Sequence, residues 1–365
     1  MLTPVYNSYN RPMIKCSLSN LFIVLRCCVV LLCFLLLVCS SPSAQDVNQI
    51  TAKVQSLKPE QIPALITKAK SGDVESQVML GLAYRFGRGV EQNLPETAKW
   101  LRKASKSGSA SAANDLGVMY QYGNGVPQDD PEAAKLFRKA AELGNAPAQA
   151  NLGFMYLEGR GVSKNLTTAF EWTQKSADQG YVVGEMNLGI LYLEGKGTTP
   201  DPQKGIEALK MAAEHGLVEA QGRLALAYLG VETPEGDAAA LKWLSTAAEQ
   251  GDKKSSDVLG FLHGGIRAGL KISSSDDLAA LRLKGEGGDP EAQNLLSILY
   301  ATSNNQVSAY FWFGMLADNS RADAATRKHA KDILKLLPKG SLISKEQIAG
   351  AETRLREWQA SHSSR

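Results

Sequence analysis

Apolar positions recur along this chain at helical spacing, in segments of about a dozen residues separated by glycine-containing turns. In "AQANLGFMYLEGRGV", Ala148 to Val162, the positions Leu152, Gly153 and Tyr156 fall on one side of a helix. In "LTTAFEWTQKSADQG", Leu166 to Gly180, Trp172 and Ala177 do the same. The spacing predicts a helix A over about Ala148 to Glu158 and a helix B over about Leu166 to Gln179. Gly159 and Gly161 lie between them and Gly180 stops the second. Glycine takes the left-handed conformation that ends helices without steric cost. Helices this short are marginal alone in water, so each pair must bury its apolar side against the next.

The pattern repeats with a step of 36 residues. "LGLAYRFGRGV" begins at Leu80, "LGVMYQYGNGV" at Leu116, "LGFMYLEGRGV" at Leu152 and "LGILYLEGKGT" at Leu188. Tyr84, Tyr120, Tyr156, Tyr192 and Tyr228 keep the same step, as do Gly72, Gly108, Gly144, Gly180 and Gly216. A glycine pair after an apolar segment also suggests a phosphate loop. Such a loop occurs once, follows a β-branched strand and ends in a third glycine or a Gly-Lys-Ser/Thr step. Here the pair occurs four times without a strand before it, and Lys164 stands where the third glycine belongs. The repeat excludes the nucleotide reading and predicts an all-α fold: a right-handed α/α solenoid of about seven stacked helix-turn-helix units.

These residues resemble the Sel-one-like repeat family, a relative of the tetratricopeptide repeat. The family pattern A-x-x-x-L-G-x-x-Y-x-x-G-x-G-V, followed by W-x-x-K-A-A-x-x-G, is met by "AQANLGFMYLEGRGV" and "WTQKSADQG". The resemblance implies an α-solenoid adaptor that binds other proteins. For bacterial members it implies export and work in envelope biogenesis, motility, signalling or host contact. The fifth copy, "LALAYLGVETPEGDAA", loses the glycine pair and is one residue short. The sixth has a stretched, serine-rich middle, and the seventh has a shorter loop. The stack is expected to bend or loosen between about Val231 and Ser275, as a binding surface, a hinge or simple drift.

The ends differ from the repeats. Residues 1–44 carry only Arg11, Lys15 and Arg26 as charges, with an unbroken apolar run from Val29 to Cys39 and then "SSPSA". That predicts a secretory signal peptide and an exported, periplasmic or secreted protein. Lipid attachment at Cys39 is disfavoured by the bulky Val38, and membrane contact is expected only through this segment if it is retained. All five cysteines lie in it, so the remainder uses neither disulfide nor thiol chemistry. That remainder has 37 basic and 37 acidic residues, obtained by subtracting the three leading charges from 40 basic residues. A neutral balance argues against nucleic acid as partner. Residues 45–71 read as a linker and a capping helix from Glu60 to Ser71, and 72–322 as the repeats. Residues 323–365 read as two capping helices and a polar tail. Ser344 and Gln347 form a capping box flanked by Ile343 and Ile348.

No catalytic, cofactor or metal constellation stands out. His215, His263, His329 and His362 have no metal-ligand spacing, and His215 reads as a solvated turn residue equivalent to Leu143 and Gln179. The Asn165 sequon is a short pattern of little weight. What remains is surface. Helix A carries a stripe that varies between copies while the inward positions stay fixed: Met79, Leu82, Phe86; Asp115, Val118, Tyr122; Asn151, Phe154, Glu158; Asn187, Ile190, Glu194. The expectation is a non-enzymatic envelope scaffold that holds a protein or peptide on the concave helix-A face. The alternatives are a peptidoglycan binder, a regulator of a cell-wall enzyme, or a penicillin-binding hydrolase. The last is weakened because the relatives with that activity staple each helix pair by a disulfide.

Overall fold

The computed structural model describes residues 42–263, 272–302, 306–337 and 345–362. Residues 1–41 of the expected signal segment, and Ser344 and Ile343 of the expected capping box, lie outside the described residues. The described residues form 18 α-helices and no strand. Two compact units divide between Gln92 and Asn93.

The first unit contains α1 (Pro42–Gln55), a short 3-10 turn (Pro59–Gln61), α2 (Ile62–Lys70) and α3 (Val74–Phe86). The lone cap helix expected from Glu60 therefore starts as a 3-10 turn. It is preceded by α1, which covers the last three residues of the expected signal segment and the start of the expected linker. Both α1 and α2 pack against α3, and Lys53 reaches Glu75 at 2.6 Å.

The second unit runs through α4 (Leu94–Lys106), α5 (Ala110–Tyr122), α6 (Asp130–Glu142), α7 (Ala146–Glu158), α8 (Leu166–Ala177), α9 (Val182–Glu194), α10 (Pro202–Glu214), α11 (Val218–Leu229), α12 (Pro234–Glu249), α13 (Lys253–His263), α14 (Ser275–Glu286), α15 (Pro290–Thr302) and α16 (Gln306–Asp318). It ends with α17 (Ala324–Leu336) and α18 (Lys345–His362). Each helix from α4 to α12 packs on the next. The helix boundaries follow from capping. Asn93, Asp129, Asn145, Asn165 and Asp201 each accept a backbone N–H with their side chain at the first turn, which satisfies an otherwise orphaned donor. The Asp201 carboxyl is held below its ordinary value, first by the Lys204 backbone N–H. Helix α7 begins two residues earlier than its periodicity suggests because Asn145 caps it across Pro147, which sits in the first turn.

In two copies a glycine of helix A faces a bulky residue of helix B. A Cβ on Gly117 would lie 2.7 Å from the Phe137 ring, and one on Gly189 the same distance from Leu209. Leu152, Met155, Phe137 and Leu209 are fully buried. A buried glutamine recurs on the A helices. Gln149 and Gln221 donate to Ala141 and Ala213 carbonyls eight residues back (3.2 and 3.3 Å), and Gln293 to the Gly285 carbonyl (2.9 Å). Each quenches an orphan carbonyl at the end of the preceding helix B.

The glycine pair of each turn has two jobs. Gly159 takes φ +73° and ends α7, and Gly161 takes φ +65°. Gly161 also lies against the backbone of Asp130 and Pro131, so that a Cβ would fall inside the Asp130 carbonyl. Gly159→Ala is expected to cost about 1–2 kcal/mol through its left-handed backbone. Gly161→Ala is expected to cost a further 1–3 kcal/mol, roughly, from the clash. Urea unfolding of the two variants side by side checks the order.

Candidate functional site

At the lapse of the repeat the neighbour-on-neighbour packing changes: α13 and α14 do not pack on each other as the other pairs do, and α12 reaches past α13 to α14. Helix α12, at 16 residues, is longer than the other B helices and packs on α11, α13 and α14. Helix α14 thus rests on α12 and α15. Arg282 on α14 donates to Asp237 on α12 through both terminal nitrogens, one at 2.7 Å, and through Nε to the Tyr300 hydroxyl on α15 at 2.8 Å. Asp237 and Tyr300 are fully buried and Arg282 nearly so. Burial raises the Asp237 carboxyl above its ordinary value, and the Arg282 charge opposes that shift. The Tyr300 hydroxyl is pushed up by burial as well.

The Arg282–Tyr300 contact is the buried form of a recurring clasp. Arg102 donates to Tyr120 (2.7 Å) and Arg138 to Tyr156 (2.8 Å), with the same 18-residue separation. Tyr120 and Tyr156, placed inward by periodicity, are only half-buried, and their hydroxyls reach the rim, where the preceding helix B takes them. Trp172 is likewise half-buried, with Lys175 over its ring at 4.2 Å.

A groove among these helices has a volume of about 870 Å³, within the usual range for a binding cleft. Its apolar lining includes Ile190 and Leu193 of α9, Ile206 of α10, Leu226 of α11 and Val307 of α16. Glu194, Arg223, Lys254, Gln306 and Gln347 contribute polar groups. Helices α9 and α11 start at Tyr181 and Leu217 without a side-chain cap. On α11, Glu219 and Arg223 pair at 2.8 Å, and Glu194 is met by Lys196 at 2.7 Å. Asp252 caps α13 by accepting the Ser255 N–H at 2.8 Å.

Of the expected stripe, Ile190 and Glu194 line this groove. Their counterparts one repeat later, Leu226 and Gly230, line it too, as does Arg223, the counterpart of Asn187. The sequence reading stopped at the fourth copy, although the same 36-residue step points to these three. The residues from α16 and α18 carry no such signal. Asn187 is half-buried. Upstream, Asn151 donates to Asn114 of the previous A helix at 2.9 Å, and Asn114 leans on Asp115 at 3.4 Å. Tyr122 and Phe154 are exposed (64% and 38%) and Glu158 is exposed. Tyr122 and Glu158 stand close enough to Arg160 to add to the raised pKa that its bidentate bond to Asp130 produces. Met79 and Phe86 lie in the first unit, Met79 half-buried and Phe86 half-exposed.

His215 is an exposed residue at the turn that ends α10, as expected, and it also makes a contact that the sequence does not show: its Nδ1 lies 3.0 Å from Oε2 of Glu185, whose side chain is 1% exposed. Glu185 occupies the position of the buried glutamines. The residue after the next helix B contacts it there, as Gln179 contacts Gln149 (2.6 Å) and Gln250 contacts Gln221 (2.9 Å). The equivalence His215–Gln179 was visible in the sequence, but its partner 30 residues earlier was not. Among the described residues no group of three or more His, Cys, Asp or Glu could hold a metal, and no helix is long and apolar enough to cross a membrane.

Stacked helix pairs with a face of variable side chains define a class, the α-solenoid interaction repeat. The Sel1 repeat model matches residues 74–109, 110–145, 146–181, 182–217, 218–252 and 290–320, and the chain belongs to the Sel1 repeat family. The span it leaves between 252 and 290 is the irregular sixth pair, α13 and α14. A Sel1 repeat protein from Oxalobacter formigenes is 28% identical with a TM-score of 0.55, over 67% of this chain and 96% of that one. A protective antigen of uropathogenic Escherichia coli with an SLR fold is 24% identical with a TM-score of 0.41, over 83% of this chain and 72% of that one. No curated protein matches. Sel1 repeat proteins are generally protein-interaction scaffolds and typically non-catalytic.

His215→Leu removes the imidazole from a buried carboxylate and is expected to cost about 1–3 kcal/mol. His215→Gln restores the side chain used by the neighbouring copies and is expected to stay within about 0.5 kcal/mol of the parent. Urea unfolding of both variants tests whether the contact, rather than the turn, sets the stability.

Proposed function

We propose that this chain is a non-enzymatic scaffold, exported to the cell envelope, that holds a partner protein through a short segment laid in the groove of α9, α10 and α11. The observation that carries this reading is the groove's construction. Apolar side chains Ile190, Leu193, Ile206 and Leu226 are combined with charged and amide groups at Glu194, Arg223, Lys254, Gln306 and Gln347. An apolar centre supplies affinity and convergent polar groups supply register. The backbone is already set by helix packing, so little ordering is needed in the groove when a segment enters. Export rests on the basic and apolar leader, and the envelope partner rests on the family resemblance of exported bacterial members.

A photo-crosslinking residue placed at Ile190 or Leu226 of the full chain is expected to trap one dominant protein in its own cells. The same residue at Met211, exposed on α10 (46%), is expected not to. Leu226→Glu is expected to weaken capture by about tenfold or more, as loss of a central anchor does. Equal trapping at Met211 and Leu226 would contradict the groove.

A further inference from the structure

Helix α18 forms one side of the groove through Gln347. Its attachment is unlike that of the repeat helices. Among its described side chains only Ala351 is fully buried, while Leu355 and Trp358 are half-buried against the core. Leu355 covers Gly314 of α16, where a Cβ would lie 2.6 Å from it. The rest is polar. Tyr310 donates to Glu352 (3.2 Å), Trp358 to the Glu286 carbonyl (2.8 Å) and Gln359 to Asp318 (2.8 Å). Arg354 lies 4.0 Å over the Phe311 ring and pairs with Glu232 at 2.7 Å.

That last contact reaches the groove. Glu232 follows Val231, which lines it, and its side chain is only 12% exposed. Among the described residues it is the sole non-glycine with positive φ (+55°). Such a backbone is strained for a side chain of this kind and persists only where surroundings hold it. The fifth copy has lost its glycine pair, and its left-handed turn falls on a glutamate that an arginine of the last helix grips.

We propose that α18 is a displaceable strap over the groove. Arg354 on Glu232 locks it to the turn that forms the groove's edge, and entry of a partner segment is coupled to release of the strap. A helix held by few buried side chains opens locally at low free energy, and the Arg354–Glu232 pair supplies the link between that opening and the groove turn. This rests on the reading of the groove as a peptide site and adds its regulation.

Hydrogen exchange of the full chain, paired with binding of the apolar dye bis-ANS, tests it. Arg354→Ala and Glu232→Gly both break the lock, and the second also relieves the left-handed turn and so protects the fold. Each is expected to speed exchange across residues 347–360 about tenfold, to leave α9–α12 protected, and to raise dye binding at least twofold. Leu226→Gln in the Arg354→Ala background is expected to reverse the rise. Unchanged exchange in α18 would overturn the lock. Faster exchange without added dye binding, or a rise that Leu226→Gln leaves intact, would overturn the strap as a cover of the groove. Crosslinking at Ile190 judges the peptide site separately, so the two readings can fail independently.

Discussion

The contact on which the C-terminal part of this molecule depends is the guanidinium of Arg282, buried between Asp237 and Tyr300. A solenoid holds because each pair hands its apolar face to the next. Between α12 and α15 that hand-off lapses in sequence: the glycine pair is gone and the family pattern fails to match residues 253–289. Three helices are joined there by one cation with two buried partners. A buried pair of this kind adds little over an apolar packing of the same volume. Removing one partner, however, leaves an uncompensated charge and costs about 3–5 kcal/mol. The network therefore acts as a constraint on how α12, α14 and α15 meet, more than as a source of net stability.

The groove lies beside the same lapse. Gly230 and Val231 belong to the turn that lost its glycine pair, and Gln250, Gly251 and Asp252 to the short fifth repeat's end. In the regular copies the turn between A and B helices closes onto the previous B helix, as Gly161 does on Asp130. In the fifth copy the turn carries Glu232, which faces Arg354 of the last helix. A departure from the repeat and the last helix thus meet at the edge of this cleft.

The repeat fold was legible because its determinants are local and recur. Leucine, glycine and tyrosine at fixed helical offsets, and polar caps such as Asn145 and Asn165, specify each pair without reference to distant residues. The stripe that leads to Ile190 and Glu194 was legible for the same reason, and Arg223 and Leu226 lie one step further along it. Gln347, Val307 and Arg354 were not, since their relevance comes from helices far along the chain meeting α11 and its turn. The Glu185–His215 and Asp237–Arg282 contacts were hidden likewise. A histidine in a turn and an arginine in a helix look solvated until the buried carboxylate opposite is known. Helix α1 was missed because it lacks the repeat's signature.

The most direct test of the account is native-state hydrogen exchange of Arg282→Met, compared with the parent across the second unit. Methionine keeps the length of the side chain and removes its charge, leaving Asp237 buried and unpaired. The account predicts that α14, α15 and α16 lose protection while α5 to α10 keep theirs, so that the stack separates at the place where the sequence repeat lapses. Protection that falls evenly over all these helices, or that does not fall at all, would contradict it.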